Sequence, residues 1–175
     1  MEMVIEKGTV SDIDELEQLY NNLIDHLTNT VNYPGWVKGI YPVRDTAAEG
    51  VEDEALFVIR DSGKIAGTII LRHDQEPSYL SADWHVDLAD SEILVVYTFA
   101  VHPMYLKKGI GKRLLNFAEE YGRKAGAKAI RLDVYEKNVP AINLYKKCGY
   151  QYIERVDLGY SAYGLDWYEL FQKIL

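Results

Sequence analysis

Hydrophobic positions along this chain change period several times, and each change marks an element. Ile13, Leu16, Leu19, Tyr20, Leu23, Ile24 and Leu27 recur three and four apart, which puts them on one face of a helix turned to a core. Ser11 with Asp14 three residues on predicts a cap at its start, and Met3 to Val10 before it reads as an edge strand. Thr28 to Asp45 is a loop rich in turn residues and aromatics, and a short helix from about Thr46 to Val51 follows. Ala55 to Arg60 and Lys64 to His73 are strands joined by Asp-Ser-Gly, a hairpin whose Gly63 can take positive φ. Gln75 to Ser91 is a polar, irregular loop with Tyr79, Trp84 and His85 embedded in it.

The densest pattern begins at Ile93. Ile93 to Val101 is apolar, β-branched and aromatic enough for a buried strand, and Pro103 stops it because proline cannot donate to a ladder. A helix from about Lys108 to Ala125 follows, with Ile110, Leu114, Phe117, Ala118 and Tyr121 inward and Gly126 ending it. Ala129 to Tyr135 is a strand and Val139 to Cys148 a helix closed by Gly149. Tyr150 to Asp157 and Asp166 to Leu175 form a last hairpin. The order β-α-(α)-β-β-β-α-β-α-β-β belongs to the α+β class, a mixed sheet flanked by helices.

Gly109 and Gly111 stand where that strand gives way to the helix. Glycine there lets the backbone approach a ligand, and the unpaired N–H groups of a helix start favour an anion. Two phosphate-binding motifs are excluded on residues. A P-loop needs glycine at 106 and Ser or Thr after the lysine, where Leu106 and Arg113 stand; a dinucleotide fingerprint needs glycine where Leu114 stands.

Composition narrows the classes. With 175 residues, 48% of them hydrophobic, the chain can bury roughly 70% of its unfolded surface, and residues 1–175 are expected to be one domain. No apolar run reaches the ~18 residues of a membrane span and the N-terminus does not read as a signal peptide, so no membrane partner and a cytoplasmic location are expected. One cysteine, Cys148, and four scattered histidines imply no metal. A net charge of −8 argues against nucleic acid. The cations concentrate instead around the glycine turn, where Lys107, Lys108, Lys112 and Arg113 suit an anionic cofactor in an otherwise acidic protein.

LKKGIG at Leu106 to Gly111, then Asn138 and Leu144-Tyr145, resembles the GNAT superfamily of acyl-CoA-dependent N-acyltransferases. Its signature is [Gln/Arg]-x-x-Gly-x-[Gly/Ala] after a strand, followed by an Asn and a Leu-Tyr pair. Leu106 departs from the usual Gln or Arg, so a side-chain contact to pyrophosphate is either absent or supplied by Lys107, Lys108 or Lys112. The resemblance implies a central, mostly antiparallel sheet that splays between the strands at Ile93 and Ala129 to admit pantetheine. It also implies acetyl-CoA as co-substrate, with the amides of Lys107, Lys108, Gly109, Ile110, Gly111, Lys112 and Arg113 around the pyrophosphate. By the same resemblance Phe99, Ala100 and Val101 pair with pantetheine, Asn138 binds the pantetheine or its amide, and Tyr145 lies where the family often has its general acid.

Acetyl transfer to an amine also needs an outlet for the amine's proton. An amine of pKa near 10.4 is only about one part in 2,500 neutral at pH 7. Glu92, His85, Asp83 and Tyr97 are the candidates on residue type. Cys148 lacks a partner constellation for a nucleophile, which favours direct transfer in a ternary complex over a covalent intermediate. Tyr33, Trp36, Tyr41, Tyr79 and Trp84 are candidates for the walls around a small-molecule amine. Tyr160, Tyr163, Trp167 and Phe171 have a core role by default and a homodimer surface as the alternative. Two rivals to small-molecule acetyl transfer stand beside it: an acyl-CoA sensor without turnover, and a protein-lysine or N-terminal acetyltransferase.

Overall fold

The computed structural model describes residues 2–175. The strands are β1 (Met3–Lys7), β2 (Leu56–Asp61), β3 (Lys64–Arg72), β4 (Ile93–Val101), β5 (Ala129–Tyr135), β6 (Gln151–Val156) and β7 (Tyr168–Ile174). The α-helices are α1 (Ile13–Asn29), α2 (Arg44–Glu52), α3 (Ile110–Lys124) and α4 (Val139–Lys147). The sheet order is β1-β2-β3-β4-β5-β7-β6. The β1–β2, β2–β3, β5–β7 and β6–β7 ladders are antiparallel and β4–β5 is parallel, so the sheet is mixed and mostly antiparallel, flanked by helices as expected. No helix among the described residues is long and apolar enough to cross a membrane.

The chain divides into two compact units. The first comprises residues up to Asn32, Trp36–Leu71 and Tyr97–Phe117; the second comprises Tyr33–Gly35, Arg72–Val96 and Ala118–Leu175. In the first, the helical face of α1 is buried at Leu16, Leu19, Tyr20 and Leu23, against Leu56, Val58, Ile65 and Ile70 of β2 and β3. In the second, Ile93, Leu94, Ile130, Leu132, Leu170 and Phe171 are buried on β4, β5 and β7. Phe171 is therefore core, whereas Tyr160, Tyr163 and Trp167 are exposed. The β4–β5 ladder joins Ile93, Leu94 and Val95 to Ala129, Ile130 and Arg131.

Element ends differ from the periodicity where local caps intervene. The first strand stops at Lys7, not Val10, because Thr9 and Asp12 cap a 3-10 turn: Thr9 N–H donates to Asp12 Oδ2 at 2.8 Å. Ser11 and Asp14 do not start the helix. The second helix begins earlier than Thr46, at Arg44, with Val43 N–H donating to Thr46 Oγ1 at 3.0 Å. The 75–91 loop contains a 3-10 turn at Pro77–Tyr79, and Tyr79 within it is fully buried. Gly63 does take positive φ, +82°.

Candidate functional site

The glycine turn lies wholly in the first unit. β4 ends at Val101, a 3-10 turn spans Pro103–Tyr105, Leu106 is extended, and Lys107 and Gly109 take φ of +60° and +79° before α3 begins at Ile110. A Cβ at Gly109 would point into open space. The space in front of the first turn of α3 is thus clear, and its leading N–H groups have no partner within the helix. Arg113 N–H donates to Gly109 O at 3.1 Å, the first bond of the helix. Gly67 on β3 seats this turn: a Cβ there would lie 3.0 Å from Ile110 Cγ2 and 3.1 Å from Ala100 O. Lys108 reaches back over the Tyr105 ring at 5.4 Å, and Tyr105 donates to Asp61 Oδ2 at 3.0 Å.

The second unit holds Asn138 and Tyr145. Asn138 caps α4, its Oδ1 accepting from Ala141 N–H at 3.4 Å, with Pro140 in the first turn. Tyr145 is buried, its ring 5.9 Å from Tyr150 and 6.4 Å from Phe171. Burial, and then the negative charges of Asp133 and Cys148, push its hydroxyl well above the ordinary tyrosine value. Cys148, at the end of α4, is buried and forms no disulfide.

β5 carries what the sequence reading missed. Its apolar alternation is broken by Arg131 and Asp133, two apart and therefore on one face of the strand. Tyr79 donates to Asp133 Oδ2 at 2.6 Å. Burial raises the Asp133 carboxyl to about 6, against the lowering effect of that hydrogen bond. An acidic residue inside an apolar strand was the signal available, and the Leu-Asp-Val context alone does not say what the carboxylate faces.

Other sequence candidates sit differently. Glu92 pairs with Lys128 at 2.6 Å and accepts from Ala89 N–H at 3.0 Å, which holds it below the usual carboxylate range, the wrong direction for a base at neutral pH. His85 is exposed, in a left-handed conformation at φ +63°, with Nδ1 3.3 Å from Asp83 Oδ1. Trp36 and Tyr41 meet edge to face at 5.9 Å in the first unit, where Trp36 and Tyr97 pack against the core. Tyr41 shares a hydrogen bond with Thr98, and Tyr33 belongs to the second unit. Tyr79 and Trp84 are buried neighbours, rings 5.4 Å apart, with Trp84 Nε1 donating to Tyr79 O at 2.8 Å. Both line a cleft of about 520 Å³ in the second unit, with His85, Asp87, Asp90 and Arg131 among its other walls.

A model of the acetyltransferase (GNAT) family matches residues 17–150. The chain is 28% identical over 100 residues to an uncharacterized N-acetyltransferase of Methanocaldococcus jannaschii, covering 57% of this chain and 40% of that protein. It is 37% identical over 71 residues to a streptothricin acetyltransferase of Escherichia coli, covering 41% of this chain and 37% of the relative. The matched stretch thus spans less than half of each curated relative. Among solved structures, a GNAT family acetyltransferase from Streptococcus agalactiae superposes with a TM-score of 0.82 at 22% identity, over 99% of this chain and 95% of the other. That likeness is one of fold.

Proposed function

Because the chain belongs to the acetyltransferase (GNAT) family, a family of acyltransferase enzymes, we propose that it transfers the acetyl group of acetyl-CoA to a primary amine of a small molecule, by direct attack in a ternary complex. Residues 1–175 act in this reading as one GNAT domain. The turn from Lys107 to Arg113 holds the pyrophosphate on backbone N–H groups and lysines. Phe99, Ala100 and Val101 pair with pantetheine, and Asn138 binds the pantetheine or its amide, in keeping with the family pattern.

The observation that carries catalysis is the Tyr79–Asp133 pair. A carboxylate raised to about 6 is mostly ionised at pH 7 yet far more basic than an ordinary aspartate, the property a general base needs. The ammonium gives its first proton to solvent, and Asp133 takes the second from the nitrogen as the neutral amine attacks the thioester carbonyl. The C–N bond forms, the C–S bond breaks, and the electron pair leaves on sulfur. By the family resemblance Tyr145 would assist that departure, but its raised value limits the help. A thiol near 8.5 is a stronger acid than any tyrosine above 10, so Tyr145 stabilises the departing thiolate by hydrogen bonding rather than by full proton transfer. Buried Cys148 is unsuited to carry the acetyl group, which favours direct transfer.

The cleft volume, within the roughly 300–1,000 Å³ of small-ligand sites, favours a small acceptor over a protein chain. The relative named for acetylating streptothricin points the same way. The test is thiol release from acetyl-CoA across a panel of amines, run beside Asp133→Asn. Release with some amines, strongly reduced in the variant, is expected. Acetyl-CoA binding without release for any amine would favour the sensor reading instead.

A further inference from the structure

Arg131 is only 4% exposed, yet no carboxylate among the described residues pairs with its guanidinium. Nε donates to Gln172 Oε1 at 2.9 Å and Nη1 to Gln75 Oε1 at 2.8 Å. Both amides are held with their oxygens toward the arginine. Gln172 Nε2 donates to Trp84 O at 3.0 Å, and Gln75 Nε2 to Asp90 Oδ1 at 3.1 Å. The guanidinium lies over the Trp84 ring at 4.2 Å. A buried cation is thus oriented by neutral dipoles and an aromatic face, with Nη2 left over. Burial lowers Arg131 to about 10, with Asp90 opposing, as expected for a charge still lacking a direct counterion.

Arg131 also lines the 520 Å³ cleft, and buried arginines without a counterion are costly unless something supplies one. The fork of an arginine takes a planar anion such as a carboxylate, while Asp83, Asp87 and Asp90 around the same cleft repel a free anion and attract an ammonium, which together favour a carboxylate that carries its own ammonium. Tyr79, another wall, holds Asp133, two residues from Arg131 along β5. Resting on the acetyl-transfer reading above, we infer that this cleft binds the carboxylate of the acceptor through Arg131, so that the acceptor is a zwitterionic amine of the amino-acid class.

The test titrates free L-amino acids and the matching amino-acid amides into the whole protein without acetyl-CoA, by calorimetry and by tryptophan emission, since Trp84 stacks on the arginine. At least one free acid is expected to bind tenfold or more tighter than its amide. Arg131→Gln should erase that preference and Arg131→Lys restore part of it. Asp87→Asn, at an exposed wall position, keeps the fold and should weaken the preferred acid about threefold or more. If the unaltered protein prefers no acid over its amide, the inference is overturned whatever the variants do. Equal acetylation of acids and amides removes the carboxylate site and leaves acetyl transfer standing. Acid-selective binding without thiol release keeps the site and removes the acetyl-transfer reading.

Discussion

Tyr79 donates its phenolic hydrogen to Asp133 across 54 positions of sequence, at 2.6 Å. The contact joins a fully buried ring in the 75–91 loop to a carboxylate on β5, and it opposes the burial that raises that carboxylate. Removing the hydroxyl should therefore raise Asp133 further. Tyr79→Phe is expected to move the acid limb of the kcat/KM profile upward from about 6, by up to about one unit, with the plateau lowered less. An acid limb that stays in place would detach Asp133 from the rate.

Asp133→Asn should lower kcat by roughly 10²–10⁴. Stability should move the other way. The folded-state value of about 6 lies above the ~3.9 of an unfolded aspartate, so the folded protein binds the proton more tightly. Its stability falls as pH rises from about 4 to 6 and stays lower above. The asparagine variant escapes that loss, on the order of 1–3 kcal/mol, and retains an acceptor for Tyr79. Thermal melts at pH 4 and pH 8 check this: the gap between variant and parent should widen in the variant's favour at pH 8.

Gly109→Glu places bulk and negative charge in the open space before α3 and should abolish acetyl-CoA binding. Gly67→Val tests the seat rather than the turn. Its side chain must displace Ile110 or meet Ala100 O, and so should weaken acetyl-CoA at least several-fold while the amine KM changes little. Calorimetry with CoA showing both variants unaltered would move the cofactor away from this turn.

Tyr145→Phe should reduce kcat by no more than about 10²-fold and leave acetyl-CoA affinity nearly constant, because a hydroxyl this hard to ionise gives up little proton in the transition state. A loss of 10⁴ in single-turnover rate would mean that bound cofactor reverses the effect of burial.

Lys173 Nζ donates to Glu119 Oε1 at 2.5 Å and to Cys148 O at 2.7 Å, a half-buried pair tying β7 to α3 and the end of α4. Lys173→Met leaves the carboxylate without its closest cation and should cost about 2 kcal/mol, less than the 3–5 of fully buried pairs. Denaturant midpoints should show this with kcat unchanged.

The elements themselves were legible residue by residue. The three-and-four spacing of Leu16, Leu19, Tyr20 and Leu23 marked α1, and Gly126 marked the end of α3, because periodicity and capping are settled by backbone geometry within a few residues. The glycine turn was readable for the same reason, since the positive φ of Gly109 is settled by a few consecutive residues. The placement of β7 between β5 and β6 was not, since antiparallel pairing depends on which edge an apolar strand covers.

The sequence by itself determined that Arg131 and Asp133 share a face of one strand, because side chains alternate along β structure. It could not show that one would be a guanidinium without a carboxylate and the other a carboxyl raised to about 6. Those properties come from Tyr79, Gln75 and Gln172, dozens of residues away. Only the tertiary structure decided them, because desolvation and hydrogen bonding act through space over a few ångströms, whatever the distance along the chain.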